Sequence, residues 1–149
     1  MPKNLPRSPY NTLGGLVHLP RLIDKARLHR RGTLVGYNYK TVGFDKHLLA
    51  FLQVDAEAFE AAANACGTDD EVLQWIQQNG RMPSAAQITE WNRAMITRRP
   101  DTPEKLARFQ LFLKEAGGEG RNDVQTYFDL IELDEGRLGR SDRGRQPEQ

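Results

Sequence analysis

Thiol chemistry is almost absent from this chain of 149 residues, which contains a single cysteine, Cys66. One cysteine excludes an intrachain disulfide and a zinc site made of several thiolates. The three histidines, His18, His29 and His47, do not stand at ligand spacing from one another, so the sequence predicts no metal site. Neither a dinucleotide-binding fingerprint nor a phosphate-binding loop is present, and we therefore expect no cofactor.

Long apolar segments are missing as well. No run approaches the roughly 20 residues that a membrane-spanning helix needs. The first residues, 1–7, include Pro2 and Pro6 and lack the apolar core of a secretory signal. Together with the lone cysteine, these absences predict a protein of a reducing cytoplasm that does not contact a membrane.

A large excess of one charge is missing too, because the formal net charge is +1. This balance gives no general argument for nucleic acid, which we do not expect as a partner. The charges are nevertheless uneven: residues 1–46 carry a net charge of +7 and residues 47–96 a net charge of −5. Two explanations stay open. The basic segment lies against the acidic one, or it offers a basic face to an anionic ligand.

Most of the chain shows helical periodicity bounded by capping residues. Thr68 with Glu71 and Ser84 with Gln87 form capping-box patterns, and Thr102 precedes a proline at a helix start. These elements predict a mainly α protein, a compact single-domain bundle of about six helices with at most one short strand pair. The predicted helices cover approximately residues 8–31, 44–52, 55–67, 68–80, 84–95 and 102–116.

The first of these helices is the least regular. Gly14, Gly15 and Pro20 interrupt its pattern, so we expect a kink or a break near Leu19. The most strand-like segment is Thr33–Lys40, which either pairs with Thr126–Leu133 or stays an extended loop.

Three parts of the chain differ in composition. Residues 1–7 are predicted to form an extended arm and residues 8–136 the helical domain. Residues 137–149 contain one apolar residue and no periodicity, so this tail is predicted to be disordered.

The first helix carries the cluster of charged residues that best indicates a site. His18, Arg21 and Lys25 are spaced three and four apart, which places them on one helix face. Arg21 can bind a carboxylate or phosphate through its planar fork, Lys25 acts as a point charge, and His18 can donate or carry a proton. Asp24 and Arg27 flank this face. A solvated charged face of an ordinary amphipathic helix explains the same pattern, so both interpretations stay open.

Two tyrosines extend the candidate site. Tyr37 and Tyr39 precede Lys40, and tyrosines beside basic residues can line a pocket; a segment that packs its rings on the core explains them equally well. The candidate ligand-binding residues are therefore His18, Arg21, Asp24, Lys25, Arg27, Tyr37 and Tyr39, and no catalytic residue is assigned.

Several motifs in the first 27 residues resemble a bacterial family known as domain of unknown function 5069. The resemblance rests on Arg7-Ser-Pro, on Leu13-Gly-Gly-Leu-Val and above all on Leu19-Pro-Arg-Leu-Ile-Asp-Lys-Ala-Arg, and it covers most of residues 7–135. It implies a bacterial protein but supplies no activity, cofactor or catalytic residue. The typical member carries an aromatic residue at the position of His18, which argues against a catalytic His18.

Two functions follow from these observations. We predict a non-catalytic binding or interaction module with a basic site on the first helix, whose partner is an anionic small molecule or a protein. The alternative is a small enzyme acting on a carboxylate or phosphate metabolite, in which Asp24 or His18 moves a proton. Burial separates the two, because an enzyme encloses Arg21, Asp24 and Lys25 in a pocket, whereas a binding module exposes them on an open face.

Overall fold

The structure is a computed structural model that describes residues 5–138. Within these residues it contains seven α-helices and one two-stranded antiparallel sheet, which confirms a mainly α protein with one short strand pair. The chain divides into two compact units, whose described parts are residues 5–92 and 93–138. Of the predicted arm, residues 5–7 are described, and the predicted tail lies outside the described residues beyond Leu138.

The elements follow the chain in a simple order. None of the helices in the described part is long and apolar enough to cross a membrane. The bounds are β1 (Thr12–Leu13), β2 (Leu16–Val17), α1 (Leu19–Arg30), α2 (Gly43–Leu52), α3 (Ala56–Ala65), α4 (Asp69–Asn79), α5 (Ala85–Ile96), α6 (Pro103–Glu115) and α7 (Tyr127–Asp134).

A β-hairpin replaces the first part of the predicted N-terminal helix. Strands β1 and β2 pair in antiparallel register, with Thr12 opposite Val17. Gly14 and Gly15 join the strands with φ angles of 59° and 81°. A two-residue turn with positive φ at both central positions matches the natural twist of paired strands. The prediction of a helix over residues 8–18 was therefore wrong, because the glycine pair forms a hairpin turn.

The predicted interruption near Leu19 is the start of α1. Pro20 occupies the first turn of the helix, where backbone N–H groups have no acceptor within the helix, so the proline removes no hydrogen bond. The residue before the helix, His18, has φ 74° and ψ −20°. This left-handed conformation turns the chain from the hairpin into the helix.

Neither strand candidate of the sequence forms a strand. Residues 33–40 form an irregular loop, the second of the two alternatives, and Thr126–Leu133 falls almost entirely in α7. The hydroxyl of Thr126 accepts the backbone N–H of Asp129 at 3.2 Å. This N-cap closes the first helical turn, and it outweighs the strand propensity of the segment.

The capping predictions are confirmed. Thr68 and Glu71 form a reciprocal capping box, and so do Ser84 and Gln87, whose two hydrogen bonds measure 2.8 and 3.1 Å. The side chain of Asp55 accepts the N–H of Ala58 at the start of α3. Short-range sequence patterns therefore fix where these helices begin.

Helix α1 lies in the core of the first unit. It packs along α3 and buries an apolar side facing the hairpin and α2–α4. The same helix also buries two cationic residues, Arg21 and Lys25, which an amphipathic surface helix would leave in water. Its fully buried apolar residues are Leu19, Leu22, Ile23 and Ala26.

The second unit has its own smaller core between α6 and α7. Phe109 and Leu113 of α6 and Ala116 directly after the helix are buried there, whereas Leu106 of the same helix remains 48% exposed. The apolar contact of α6 therefore begins at Phe109.

Replacing Gly80 by alanine tests the close packing at the end of α4. A Cβ atom at Gly80 would lie 2.7 Å from the backbone oxygen of Leu52 and closer still to the side chain of Val54. We expect Gly80→Ala to lower the free energy of unfolding in urea by about 1–3 kcal/mol, since the backbone must shift. Gly67→Ala is the control, because its Cβ would meet nothing closer than 3.6 Å. Equal stability of both variants would contradict this packing.

Candidate functional site

His18 stands at the junction of hairpin and helix with its side chain buried. Its backbone N–H donates to the carbonyl oxygen of Pro9 at 2.9 Å, and its own carbonyl accepts the N–H of Leu22 at 3.0 Å. These bonds hold the left-handed conformation, to which histidine is better suited than most residues. The imidazole Nε2 lies 2.6 Å from Oδ1 of Asp45 and the ring lies 5.8 Å from that of Phe44.

Asp45 is the centre of the buried charged cluster, which we define as His18, Arg21, Lys25 and Asp45. It is only 1% exposed and comes from the first turn of α2. Besides His18, its carboxylate accepts Lys25 Nζ at 3.2 and 3.3 Å and the backbone N–H of Lys40 at 2.9 Å. One side chain therefore ties together α1, α2, the residue that precedes α1 and the loop that precedes α2.

The electrostatics of the pair favour a neutral imidazole beside an ionised carboxylate. Burial lowers the pKa of His18 and outweighs the attraction of Asp45. Burial alone would raise the pKa of Asp45. The hydrogen bond from His18, the charge of Lys25 and the N–H of Lys40 together outweigh it and hold the pKa of Asp45 below its ordinary value. His18 thus donates its Nε2–H to the carboxylate.

Arg21 lies one turn before Lys25 on α1 and is only 3% exposed. Its Nη1 donates to the backbone oxygen of Arg7 at 3.0 Å. Its guanidinium carbon lies 5.7 Å from the centre of the Tyr37 ring, which is cation–π range. The arm and the loop after α1 therefore both contact this side chain.

Asp24 has a different role from its neighbours on α1. It accepts the Nε, Nη2 and backbone N–H groups of Arg7 at 2.9, 3.1 and 2.8 Å. The same guanidinium donates to Asp69 of α4 at 2.7 and 3.1 Å. Arg7 thus bridges two carboxylates and fastens the arm to α1 and α4, and it holds the pKa of Asp69 below its ordinary value.

Arg27 binds the end of α3. Its Nε donates to the carbonyl oxygen of Ala63 at 3.0 Å and its Nη2 to that of Cys66 at 3.2 Å. The last carbonyls of a helix have no acceptor role within it and carry partial negative charge, so a guanidinium stabilises them. The geometry gives Arg27 a structural role.

Residues 33–42, which we call the cover loop, lie over the cluster. The backbone oxygen of Asn38 accepts Lys25 Nζ at 2.9 Å, and the Tyr37 ring faces Arg21. The backbone N–H of Lys40 makes a third contact, to the carboxylate of Asp45. Two of the three contacts are hydrogen bonds and one is a cation–π contact. The cover loop is therefore held to the cluster by backbone polar groups and one aromatic ring.

A second group of charges holds the outer side of the cover loop. The Tyr39 hydroxyl donates to Glu60 of α3 at 2.8 Å, and Lys40 Nζ bonds Glu60 and Glu57 at 2.8 Å each. His29 Nε2 lies 4.0 Å from Glu60 and its ring 5.0 Å from that of Tyr39. Burial and the bond to Glu60 raise the pKa of Tyr39, and the bond from Lys40 lowers the pKa of Glu60.

The structure brings four of the seven predicted residues together and separates three. Asp24 contacts the arm, Arg27 contacts α3, and Tyr39 contacts Glu60. Sequence reasoning missed Asp45, although an acidic residue on the apolar side of α2 is a detectable signal. The four that meet are His18, Arg21, Lys25 and Tyr37.

Metal binding is not suggested by the geometry of residues 5–138, where no three histidine, cysteine or carboxylate side chains gather in a way that could hold an ion. The cluster offers instead two cations, one carboxylate and one neutral imidazole. Such a set can bind an anion or orient a proton carrier.

Comparison with known proteins places the chain in a family. A family model described as Domain of unknown function (DUF5069) matches residues 3–137. The chain belongs to this family. No curated protein matches the chain. Membership confirms the resemblance that the N-terminal motifs indicated. The family description assigns no site, so the interpretation of the cluster rests on the geometry of this chain.

Removing the central charge tests the cluster. Asp45→Asn keeps the size of the side chain but leaves the ammonium of Lys25 buried without its counter-charge, so we expect a loss of about 3–5 kcal/mol in the free energy of unfolding. Asp70→Asn, at an exposed position of α4, is the matched control and should change stability by less than about 0.5 kcal/mol. Denaturant unfolding of both variants measures the difference, and a small effect of Asp45→Asn would contradict the ion pair.

The depressed pKa of His18 predicts acid sensitivity of the fold. In the unfolded chain a histidine takes up a proton below about pH 6.5, whereas folded His18 stays neutral to lower pH. Its contribution to stability is therefore complete above about pH 6.5 and is lost as the pH falls from there through the lower pKa of folded His18. We expect the free energy of unfolding to fall between pH 7 and pH 5, above the range where the carboxylates titrate.

His18→Asn is the variant that isolates this effect, because asparagine tolerates the left-handed conformation but does not titrate. The fall in unfolding free energy between pH 7 and pH 5 should be shallower in this variant. An unchanged slope would assign the acid sensitivity to other groups.

Proposed function

We propose that the protein is a non-catalytic binding module that takes up a small carboxylate or phosphate anion between α1 and the cover loop. One observation carries the proposal: Arg21 and Lys25, two cationic side chains one helical turn apart, are 3% and 5% exposed and both contact the cover loop. Buried cations are costly unless they are paired with anions or polar groups.

An anion would bind Arg21 and Lys25 more strongly than the neutral groups of the cover loop do. Lys25 Nζ donates to the neutral carbonyl of Asn38, and the guanidinium of Arg21 faces the neutral ring of Tyr37. Charge-assisted hydrogen bonds are about twice as strong as neutral ones. A carboxylate that displaced these two loop contacts would therefore gain interaction energy at both cations.

The distribution of charge supports an anion rather than a cation. Residues 1–46 contain nine basic and two acidic residues. The two acids are Asp24, which binds Arg7, and Asp45, which binds Lys25 and His18. The segment that forms the cluster therefore keeps an excess of positive charge, which attracts an anionic ligand.

The cover loop has hinges at both ends. Gly32 and Gly43 flank it with φ angles of 75° and 64°. Glycine adopts both positive and negative φ, so rotations at these two positions can move the loop as a unit. The side chain of Val35 in this loop is 78% exposed and therefore does not anchor the loop in the core.

The enzyme alternative is favoured by two observations: Arg21 and Lys25 are buried instead of lying on an open face, and His18 lies 2.6 Å from Asp45. A carboxylate that orients an imidazole is the arrangement used by many general bases. His18 is 1% exposed, so it would reach a substrate only after the residues around it had moved. Asp24 does not support this alternative, because it is bonded to Arg7. In either function we place the protein in the bacterial cytoplasm.

Thermal unfolding in the presence of acetate, succinate, citrate and inorganic phosphate tests the proposed function. An anion at 100 times its Kd should stabilise the wild-type protein by about 2.7 kcal/mol. The double variant Lys25→Met with Asp45→Asn removes a buried ion pair without leaving a lone charge, so it should fold but lose the shift. Arg21→Gln should weaken binding at least about tenfold.

Arg30→Gln is the control for these variants, because Arg30 is an exposed residue of the same helix. It should leave the stabilisation by anions unchanged. Stabilisation that survives in both the double variant and Arg21→Gln would assign the anion to another place and contradict the proposal.

Binding and catalysis are separated by following the bound anion itself. If the protein is a binding module, the NMR spectrum of the stabilising anion stays unchanged after prolonged incubation with wild-type protein. Conversion that disappears in His18→Asn, while the thermal shift is retained, would establish the enzyme instead.

A further inference from the structure

We propose that Glu60 of α3 is a latch that holds the cover loop closed, so that its bonds to Tyr39 and Lys40 control access to the buried cluster. The inference rests on the proposed function, because it takes the cluster beneath the cover loop to be the anion site. It assigns the control of that site to Glu60, which lies outside the cluster.

A single carboxylate oxygen makes the two contacts. Oε1 of Glu60 accepts the Tyr39 hydroxyl and bonds Lys40 Nζ, both at 2.8 Å. Glu57 adds one further bond to Lys40. Two neighbouring residues of the cover loop are thus fastened to α3, Tyr39 through Glu60 and Lys40 through both Glu60 and Glu57.

The latch and the cluster share one residue of the loop. Lys40 binds Glu60 through its side chain and Asp45 through its backbone N–H. Its φ angle is 43°, in the left-handed region that a lysine seldom adopts. Bonds at both ends of the residue hold this conformation. Release of the ammonium from Glu60, and with it from the more exposed Glu57, lets Lys40 return to an ordinary backbone conformation, which withdraws its N–H from Asp45.

The exposure of the contacts suits a reversible device. The side chains of Lys40 and Glu60 are 16% and 25% exposed, so water and salt weaken their attraction. The pair is therefore strong enough to favour the closed loop and weak enough to open. The fully buried bonds among His18, Lys25 and Asp45 lack this property.

Hydrogen exchange of the ligand-free protein tests the latch without any anion. In Glu60→Ala, the amides of residues 37–41 should exchange about five to ten times faster than in wild type, because the open population of the loop rises. Tyr39→Phe keeps the ring and removes one of the two bonds, so it should give a smaller increase, about threefold. Glu90→Ala, at an exposed site of α5, is the matched control and should give none.

The outcomes separate the latch from the proposed function. Unchanged exchange at residues 37–41 in Glu60→Ala, or an equal increase throughout residues 5–92, overturns the latch whether or not anions bind. Faster exchange confined to the loop supports the latch, even if acetate, succinate, citrate and phosphate all fail to stabilise the protein, in which case only the proposed function is overturned. If one of these anions does bind, Glu60→Ala should raise its association rate by the same factor as the exchange.

Discussion

The interaction on which the first unit depends is the buried contact of Asp45 with Lys25 and His18. A carboxylate that is 1% exposed is tolerated only when its oxygens are fully engaged, and here the partners come from three separate parts of the chain. The hairpin must deliver His18, α1 must deliver Lys25, and the loop before α2 must deliver the N–H of Lys40. Each segment is therefore placed correctly only when the others are, which couples the hairpin, two helices and the cover loop into one cooperative structure.

Asp24 and Arg27 of α1 also join segments of the chain and do not form a solvated face. Arg27 satisfies the carbonyls at the end of α3, and Asp24 receives the guanidinium of Arg7, which also reaches Asp69. The partners of Arg7 are 17 and 62 residues away in the sequence, so spacing along the chain could not predict them. The basic N-terminal segment and the acidic middle segment do meet at the Arg7–Asp69 contact, so intramolecular charge pairing explains part of the uneven charge, and an anion is proposed only for Arg21 and Lys25.

Sequence predicted helices α2 to α6, most of which begin with a short-range capping pattern, and it failed at the hairpin, at α7 and at Asp45. The capping boxes at Thr68 and Ser84 need only three neighbouring residues, so they could be recognised directly. The Gly14–Gly15 turn was missed because apolar residues on both sides also fit a helical period. Asp45 was missed because its main partner, Lys25, lies twenty residues earlier in the sequence. The helical spacing of residues on α1 cannot reveal a contact with a residue on another helix.

The stability of the first unit and the proposed anion binding depend on the same buried charges. A site that stayed open would leave the ammonium of Lys25 and the guanidinium of Arg21 in water, where an anion competes with hydration and gains little. Covering them with the polar contacts of the loop keeps them desolvated, but it also makes the loop a competitor of the ligand. The affinity for an anion is then set by the difference between two sets of bonds to the same cations. A loop that can leave is therefore as necessary to the proposed site as the cations beneath it.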